Sequence, residues 1–133
     1  MRLCGLSEKD AFIHTSYLHF SGFADNAASK WNENLCELVG LDVRKLPRIV
    51  KPNETIGEIS AEGSALCRLK PAAPVIEGCG DIAANILSCG ALEPGICVDV
   101  AGTASVFAMT ALDFRLDLKD GMLACLQSAA PGL

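Results

Sequence analysis

The chain has 133 residues, half of them hydrophobic, and a formal net charge of −5. That is long enough for one modest domain with a real core, and too apolar for a disordered chain. The basic residues form no extended patch, so a nucleic-acid backbone and an anionic membrane are set aside as partners.

The first ten residues, Met1 to Asp10, hold no apolar run fit for a signal peptide. No uninterrupted apolar stretch reaches membrane-spanning length, because Asp99 breaks the best candidate. No two of the seven cysteines have C-x-x-C spacing, so metal-site and redox-motif patterns are absent. Cys36, Cys67, Cys89 and Cys97 flank apolar residues and read as small buried hydrophobes, which suits a reducing, cytoplasmic location.

Phe12 to Phe23 is rich in aromatic and β-branched residues and reads as one or two short strands. It holds both histidines, His14 and His19, which read as structural residues. Asp25 and Asn26 are turn formers. Ser29 or Asn26 caps the next helix. Trp31, Leu35, Leu38 and Val39 fall on one face of it, as a core stripe, and Gly40 ends it. Arg44, Lys45, Arg48 and Lys51 form a small solvated basic cluster. Leu46-Pro47 opens an extended segment, since the residue before proline avoids the helical region. Lys51 to Glu54 is a turn, and residues 60–69 read as a short helix capped by Ser60 and weakened by Gly63.

The most informative stretch follows. Val75 and Ile76 read as a short buried strand leading into Gly78-Cys79-Gly80-Asp81. Ile82 to Cys89 has helical spacing, with Ile82, Ile86 and Cys89 on one face and Gly90 as a stop. Pro94-Gly95 is a turn, and Ile96 to Thr110 reads as two strands folded back around Gly102-Thr103. Beyond it, Asp113 to Asp120 reads as a solvated loop and Gly121 to Gln127 as another strand.

Two features here can carry chemistry. Asp81 sits between a strand and a helix, with glycines at 78 and 80 that permit close approach. Its carboxylate is a general base for a substrate hydroxyl, or else the helix N-cap, accepting from the N–H of Ala83 or Ala84. Gly102-Thr103-Ala104-Ser105 is a phosphate cradle built from backbone N–H groups and two hydroxyls, or else an ordinary hairpin turn. Spacing alone leaves both pairs of readings open.

Taken together, these residues resemble the central segment of the FGGY carbohydrate kinases: Gly-Cys-Gly-Asp, a short helix, Glu93-Pro94-Gly95, then a strand ending in Gly-Thr-Ala-Ser. Upstream, Trp31, Leu35, Leu38, Gly40, Leu41 and Asp42 resemble the family's Trp…Leu-Leu…Gly-hydrophobe-Asp helix. Leu46-Pro47, Ile56-Gly57-Glu58-Ile59 and Lys70 to Val75 follow in the family's order. Thr15 to Ser21 departs from the Asp-x-Ser-x-Ala-Ser-like run that the family often carries there.

The resemblance implies an α/β fold of the ribonuclease-H-like, actin-like ATPase class, with a mixed sheet and flanking helices. Residues 1–90 would be the C-terminal part of the family's N-terminal domain, and 91–133 the start of its C-terminal domain. It implies ATP and Mg²⁺ as cofactors, with magnesium held mainly through the nucleotide. A sugar is the implied substrate, a xylulose-like ketose first, and a homodimer of the longer protein is compatible with it. Asp81 matches the catalytic base; Gly102, Thr103 and Ser105 match the phosphate-contacting turn. The family's N-terminal phosphate loop and C-terminal adenosine-binding segment are not found, which implies little kinase activity for this chain alone. The alternative within the superfamily is a non-catalytic sugar- or nucleotide-binding scaffold. An unrelated cytosolic α/β binding or structural domain is the alternative outside it.

Overall fold

A computed structural model describes residues 2–103, 105–113 and 128–130. The expected loop and strand over 113–127 lie, but for Asp113, outside the described residues. The described part is α/β, with three short helices and eight short strands. The strands pair two by two and do not build the single mixed sheet expected from the resemblance.

Strand β1 (Phe12–His14) runs parallel to β4 (Arg48–Val50), with His14 opposite Val50. After β1 the chain does not continue extended: Thr15–Ser21 is a 3₁₀ helix that buries Thr15, Ser16 and Leu18. Aromatic and β-branched content therefore marked one strand here correctly, and most of the rest of the run is helical, up to Ser21. The hairpin β2 (Ala24–Asp25) and β3 (Lys30–Trp31) follows. Its turn is held by the Asp25 carboxylate accepting from the Ala28 N–H at 3.0 Å.

Helix α1 (Glu33–Leu38) is shorter than its pattern suggests and is capped by Asn32, whose side chain accepts from the Leu35 N–H. The caps expected at Ser29 and Asn26 are thus corrected, because Trp31 belongs to β3 and the helix starts beyond it. Trp31 packs instead toward the β4 approach, its indole N–H donating to the Pro47 carbonyl at 2.8 Å. The core stripe is corrected too. Leu38 and Val39 are 81% and 60% exposed and Leu35 is exposed, while Cys36 is buried on the other side of the helix.

Strands β5 (Thr55–Glu58) and β6 (Pro74–Ile76) form an antiparallel pair around helix α2 (Ala61–Cys67). Ser60 caps α2 as expected, its hydroxyl accepting from the Gly63 N–H at 2.9 Å. Gly63 is buried because the backbone of Leu3 crosses directly over it, where a Cβ would collide with the Leu3 carbonyl. A glycine that lowers helix propensity is what lets the N-terminal segment dock. Arg68 closes α2 in the left-handed conformation, φ 60°, and Ala72 just beyond it has φ 59°. Strand β6 is less buried than expected, with Pro74 and Ile76 exposed on one edge.

Helix α3 (Asp81–Ser88) and the hairpin β7 (Cys97–Ala101) and β8 (Ser105–Met109) match the sequence expectation closely. Ile86, Ala91 and Val98 form a buried cluster, with Ile82, Val100 and Ala108 packed against it. The alternation of the strands puts Val98 and Val100 inward and Cys97, Asp99 and Phe107 outward. Cys97 is therefore exposed, as is Cys89 at the end of α3, and Cys67 is only half-buried; of the four cysteines read as buried hydrophobes, Cys36 alone is buried. Thr110 ties the open end of the hairpin: its N–H donates to Ile96 O at 3.0 Å, and its hydroxyl accepts from Ile96 N–H at 3.1 Å and donates to Glu93 O. No helix among the described residues is long and apolar enough to cross a membrane.

Candidate functional site

The first intrahelical bond of α3 runs from the Ala84 N–H to the Gly80 carbonyl at 2.9 Å. Gly80 is therefore the cap, and Asp81 is the first helical residue. This corrects the reading of Asp81 as an N-cap bonded to Ala83 or Ala84. Its carboxylate accepts from the adjacent Ile82 N–H at 2.8 Å and is exposed. A carboxylate at this end of a helix is favoured by the helix dipole and stays open to a ligand.

The two glycines before it do different jobs. Gly78 has φ 85°, with open space around it, so its role is the turn itself. Gly80 has φ −62°, which any residue adopts. It is glycine because the Tyr17 ring lies 2.6 Å from where a Cβ would be. The close approach expected at this loop is made by a tyrosine from the Thr15–Ser21 3₁₀ helix.

Three residues of that helix and its entry therefore meet the Asp81 loop. The Ser16 hydroxyl, 3% exposed, accepts from the Gly80 N–H at 3.1 Å. It lies 2.8 Å from His14 Nδ1. The Tyr17 ring meets the His14 ring edge-on, with centroids 5.3 Å apart. Burial lowers the pKa of His14 below the usual histidine range, and the pKa of His19 likewise. Burial pushes the Glu77 carboxyl upward. Sequence reasoning missed His14, Ser16 and Tyr17 as neighbours of Asp81, since 64 residues separate Ser16 from Gly80 and no local pattern links them.

Gly102 and Thr103 are exposed at the tip of the β7–β8 hairpin; Ala104 lies outside the described residues. Ser105 opens β8 opposite Ala101, and its hydroxyl donates to the Asp99 carboxylate at 3.0 Å. Asp81 and the hairpin tip belong to elements that share one core, through Ile82 and Val100. A shallow groove of about 590 Å³, lined by Trp31, Arg44, Lys45 and Pro47 among others, includes none of Asp81, Gly102, Thr103 or Ser105. The described residues hold no group of three or more His, Cys, Asp or Glu side chains able to hold a metal. A lone carboxylate suits an ion that keeps most of its waters and is carried by phosphate oxygens.

Residues 11–88 match the model of the FGGY family of carbohydrate kinases, N-terminal domain. The chain belongs to the FGGY family of carbohydrate kinases. Among curated proteins, an autoinducer-2 kinase of Yersinia enterocolitica is 30% identical over 83 residues, covering 62% of this chain and 16% of the relative. The autoinducer-2 kinase of Escherichia coli K12 is 28% identical over the same length and shares. Among solved structures, a xyloylose kinase from Brucella ovis superimposes with a TM-score of 0.68 at 27% identity, over 80% of this chain and 21% of that one. The FGGY segment described here thus spans 16% of the length of these curated relatives.

Proposed function

We propose that this chain contributes the general base and one phosphate-binding turn to a sugar kinase of the ribonuclease-H-like class, which transfers the γ-phosphoryl group of ATP to a sugar hydroxyl. The observation that carries the reading is the exposed carboxylate of Asp81, the first residue of an FGGY helix packed on the Gly102-Thr103 hairpin. When bound, magnesium ATP supplies the phosphoryl group and neutralises charge on it. Asp81 accepts the proton of the attacking hydroxyl, a contribution of about 10²–10⁴-fold. Backbone N–H groups of Gly102 and Thr103 and the Thr103 hydroxyl hold phosphate oxygens. Ser105 joins them once its proton turns away from Asp99. Magnesium would be held through the phosphates, and Asp81 is the carboxylate that would reach it through water.

The division of the chain at residues 90 and 91 belongs to this reading. Gly90, at φ 77°, ends α3 and the link to the hairpin begins. The six described cysteines are all unpaired, which suits a cytoplasmic enzyme. A xylulose-like ketose is the first substrate, by likeness to the Brucella xyloylose kinase; autoinducer-2 is the second, by the names of the curated relatives. The chain alone supplies one part of the cleft and is without normal turnover, since transfer needs both walls in place.

The complete gene product, assayed with magnesium ATP against ketoses, aldonates, glycerol and autoinducer-2, tests the activity and the substrate together. Asp81→Asn is expected to lower kcat by about 10²–10⁴-fold with nucleotide affinity unchanged. Wild-type turnover in that variant removes Asp81 from the chemistry.

A further inference from the structure

We propose that Ser16 and His14 are positioning residues for Asp81, an inference that rests on the phosphoryl-transfer reading above. The Ser16 oxygen accepts the Gly80 N–H at 3.1 Å, so its own proton is free to go elsewhere. The acceptor within reach is His14 Nδ1, at 2.8 Å. A Ser16 proton on Nδ1 places the imidazole proton on Nε2 and keeps the ring neutral, and this tautomer is part of the proposal. Burial of His14 favours the same neutral form.

Gly80 is then held at every point it offers. Its N–H is bonded to Ser16, its carbonyl accepts from Ala84 at 2.9 Å, and its Cα face lies against the Tyr17 ring. Asp81 is the next residue, and its exposed side chain has no comparable packing of its own. The place from which the carboxylate projects is therefore set by a contact made 64 residues away in sequence. A shift of about 1 Å in a group of this kind costs about 10²-fold in rate. The relay Gly80 N–H to Ser16 to His14 converts the packing of the Thr15–Ser21 3₁₀ helix into the position of the base.

Four variants test this: Ser16→Ala, His14→Leu, His14→Asn and Asp81→Asn. Asparagine Oδ1 stands where His14 Nδ1 does and accepts the Ser16 proton without titrating. Amide exchange and imidazole ¹⁵N shifts are read by NMR on the chain, and kcat and KM on the complete gene product. Expected for wild type is an Nε2–H tautomer at His14. In Ser16→Ala and His14→Leu, exchange at the Gly80 amide rises tenfold or more, and kcat falls tenfold or more. KM values for sugar and ATP stay within twofold, and His14→Asn restores both readouts. The inference is overturned if Gly80 exchange is unchanged in Ser16→Ala, or if it rises while kcat stays at the wild-type value. Should Ser16→Ala fail to fold, the contrast between His14→Asn and His14→Leu decides: equal kcat in the two overturns it. Asp81→Asn separates the levels. Its loss of turnover beside a fully active Ser16→Ala sinks the positioning role alone, whereas full turnover in Asp81→Asn sinks the base assignment and this inference with it.

Discussion

The Tyr17 ring fills the space in which a side chain at Gly80 would begin, 2.6 Å from the position of its Cβ. Gly80→Ala must therefore displace the ring or the loop. Overpacking of this kind costs about 1–3 kcal/mol. Denaturant unfolding should show that loss for Gly80→Ala, and Gly80→Ala combined with Tyr17→Ala should recover most of it. Equal losses in the single and double variants would place the strain somewhere other than the ring.

Asp99 sits beside the hydroxyl that the proposed phosphate turn needs. A phosphate offers acceptors only, so Ser105 must give up its 3.0 Å bond to Asp99 before it can donate to a ligand. The carboxylate also adds a like charge near the turn, worth about 1 kcal/mol at about 4 Å in water. Asp99→Asn in the complete gene product is expected to lower KM for ATP by up to about fivefold, with kcat little changed. A higher KM would show that the Asp99 tie shapes the turn and does not compete with the ligand.

The two histidines set a pH dependence. Both have folded pKa values lowered from 6.5 by burial, so the unfolded chain binds their protons more readily. Their contribution to stability is complete above about pH 6.5 and is lost as pH falls through the folded values. Glu77 works in the opposite sense, since its raised pKa lets the fold take up a proton first, but near the carboxylate range. Between pH 7 and 5.5 the urea midpoint should therefore fall, and His14→Asn should reduce the drop. A flat midpoint across that window would mean that neither ring is protected in solution.

Thr110 closes the hairpin with both its backbone and its hydroxyl. Thr110→Val keeps the shape but leaves the Ile96 N–H and Glu93 carbonyl without that partner. Glu93 is exposed and its carbonyl can turn to water, whereas Ile96 is half-buried, and an unpaired buried N–H costs about 1–3 kcal/mol. Thermal unfolding should register a loss in that range, with the Gly102-Thr103 tip left chemically intact. Unchanged stability would mean that water replaces the hydroxyl.

Local chemistry was legible at several elements, though not at the caps of α1 and α3, which fall at Asn32 and Gly80. The Ser60 cap of α2, the Gly90 stop after α3, and the fold-back around Gly102-Thr103 follow from caps, glycines and alternation, and all appear in the structure, although α2 ends at Cys67, two residues short of its expected end. The stripe from Trp31 to Val39 failed because a 3.6-residue pattern does not say where a helix begins. Once Asn32 capped the helix, Trp31 fell into a strand and Leu38 into solvent. The surroundings of Asp81 were not legible at all. They depend on a parallel pairing of β1 with β4 and on a 3₁₀ helix that no periodicity announced. Flanking glycines, and then the family resemblance, singled out Asp81 as a candidate; only the fold supplied His14, Ser16 and Tyr17 beside it.

The bend after α2 holds Arg68 and Ala72 at φ 60° and 59°, a conformation that costs residues bearing a Cβ about 1 kcal/mol. The Arg68 N–H donates to Ser64 O and the Ala72 N–H to Ile59 O, neither of them in the Asp81 loop or the hairpin tip. Heat tolerance can thus be adjusted at these two positions by glycine exchange without disturbing the reactive groups. The segment between them is accordingly the natural place to begin hardening this protein for use at elevated temperature.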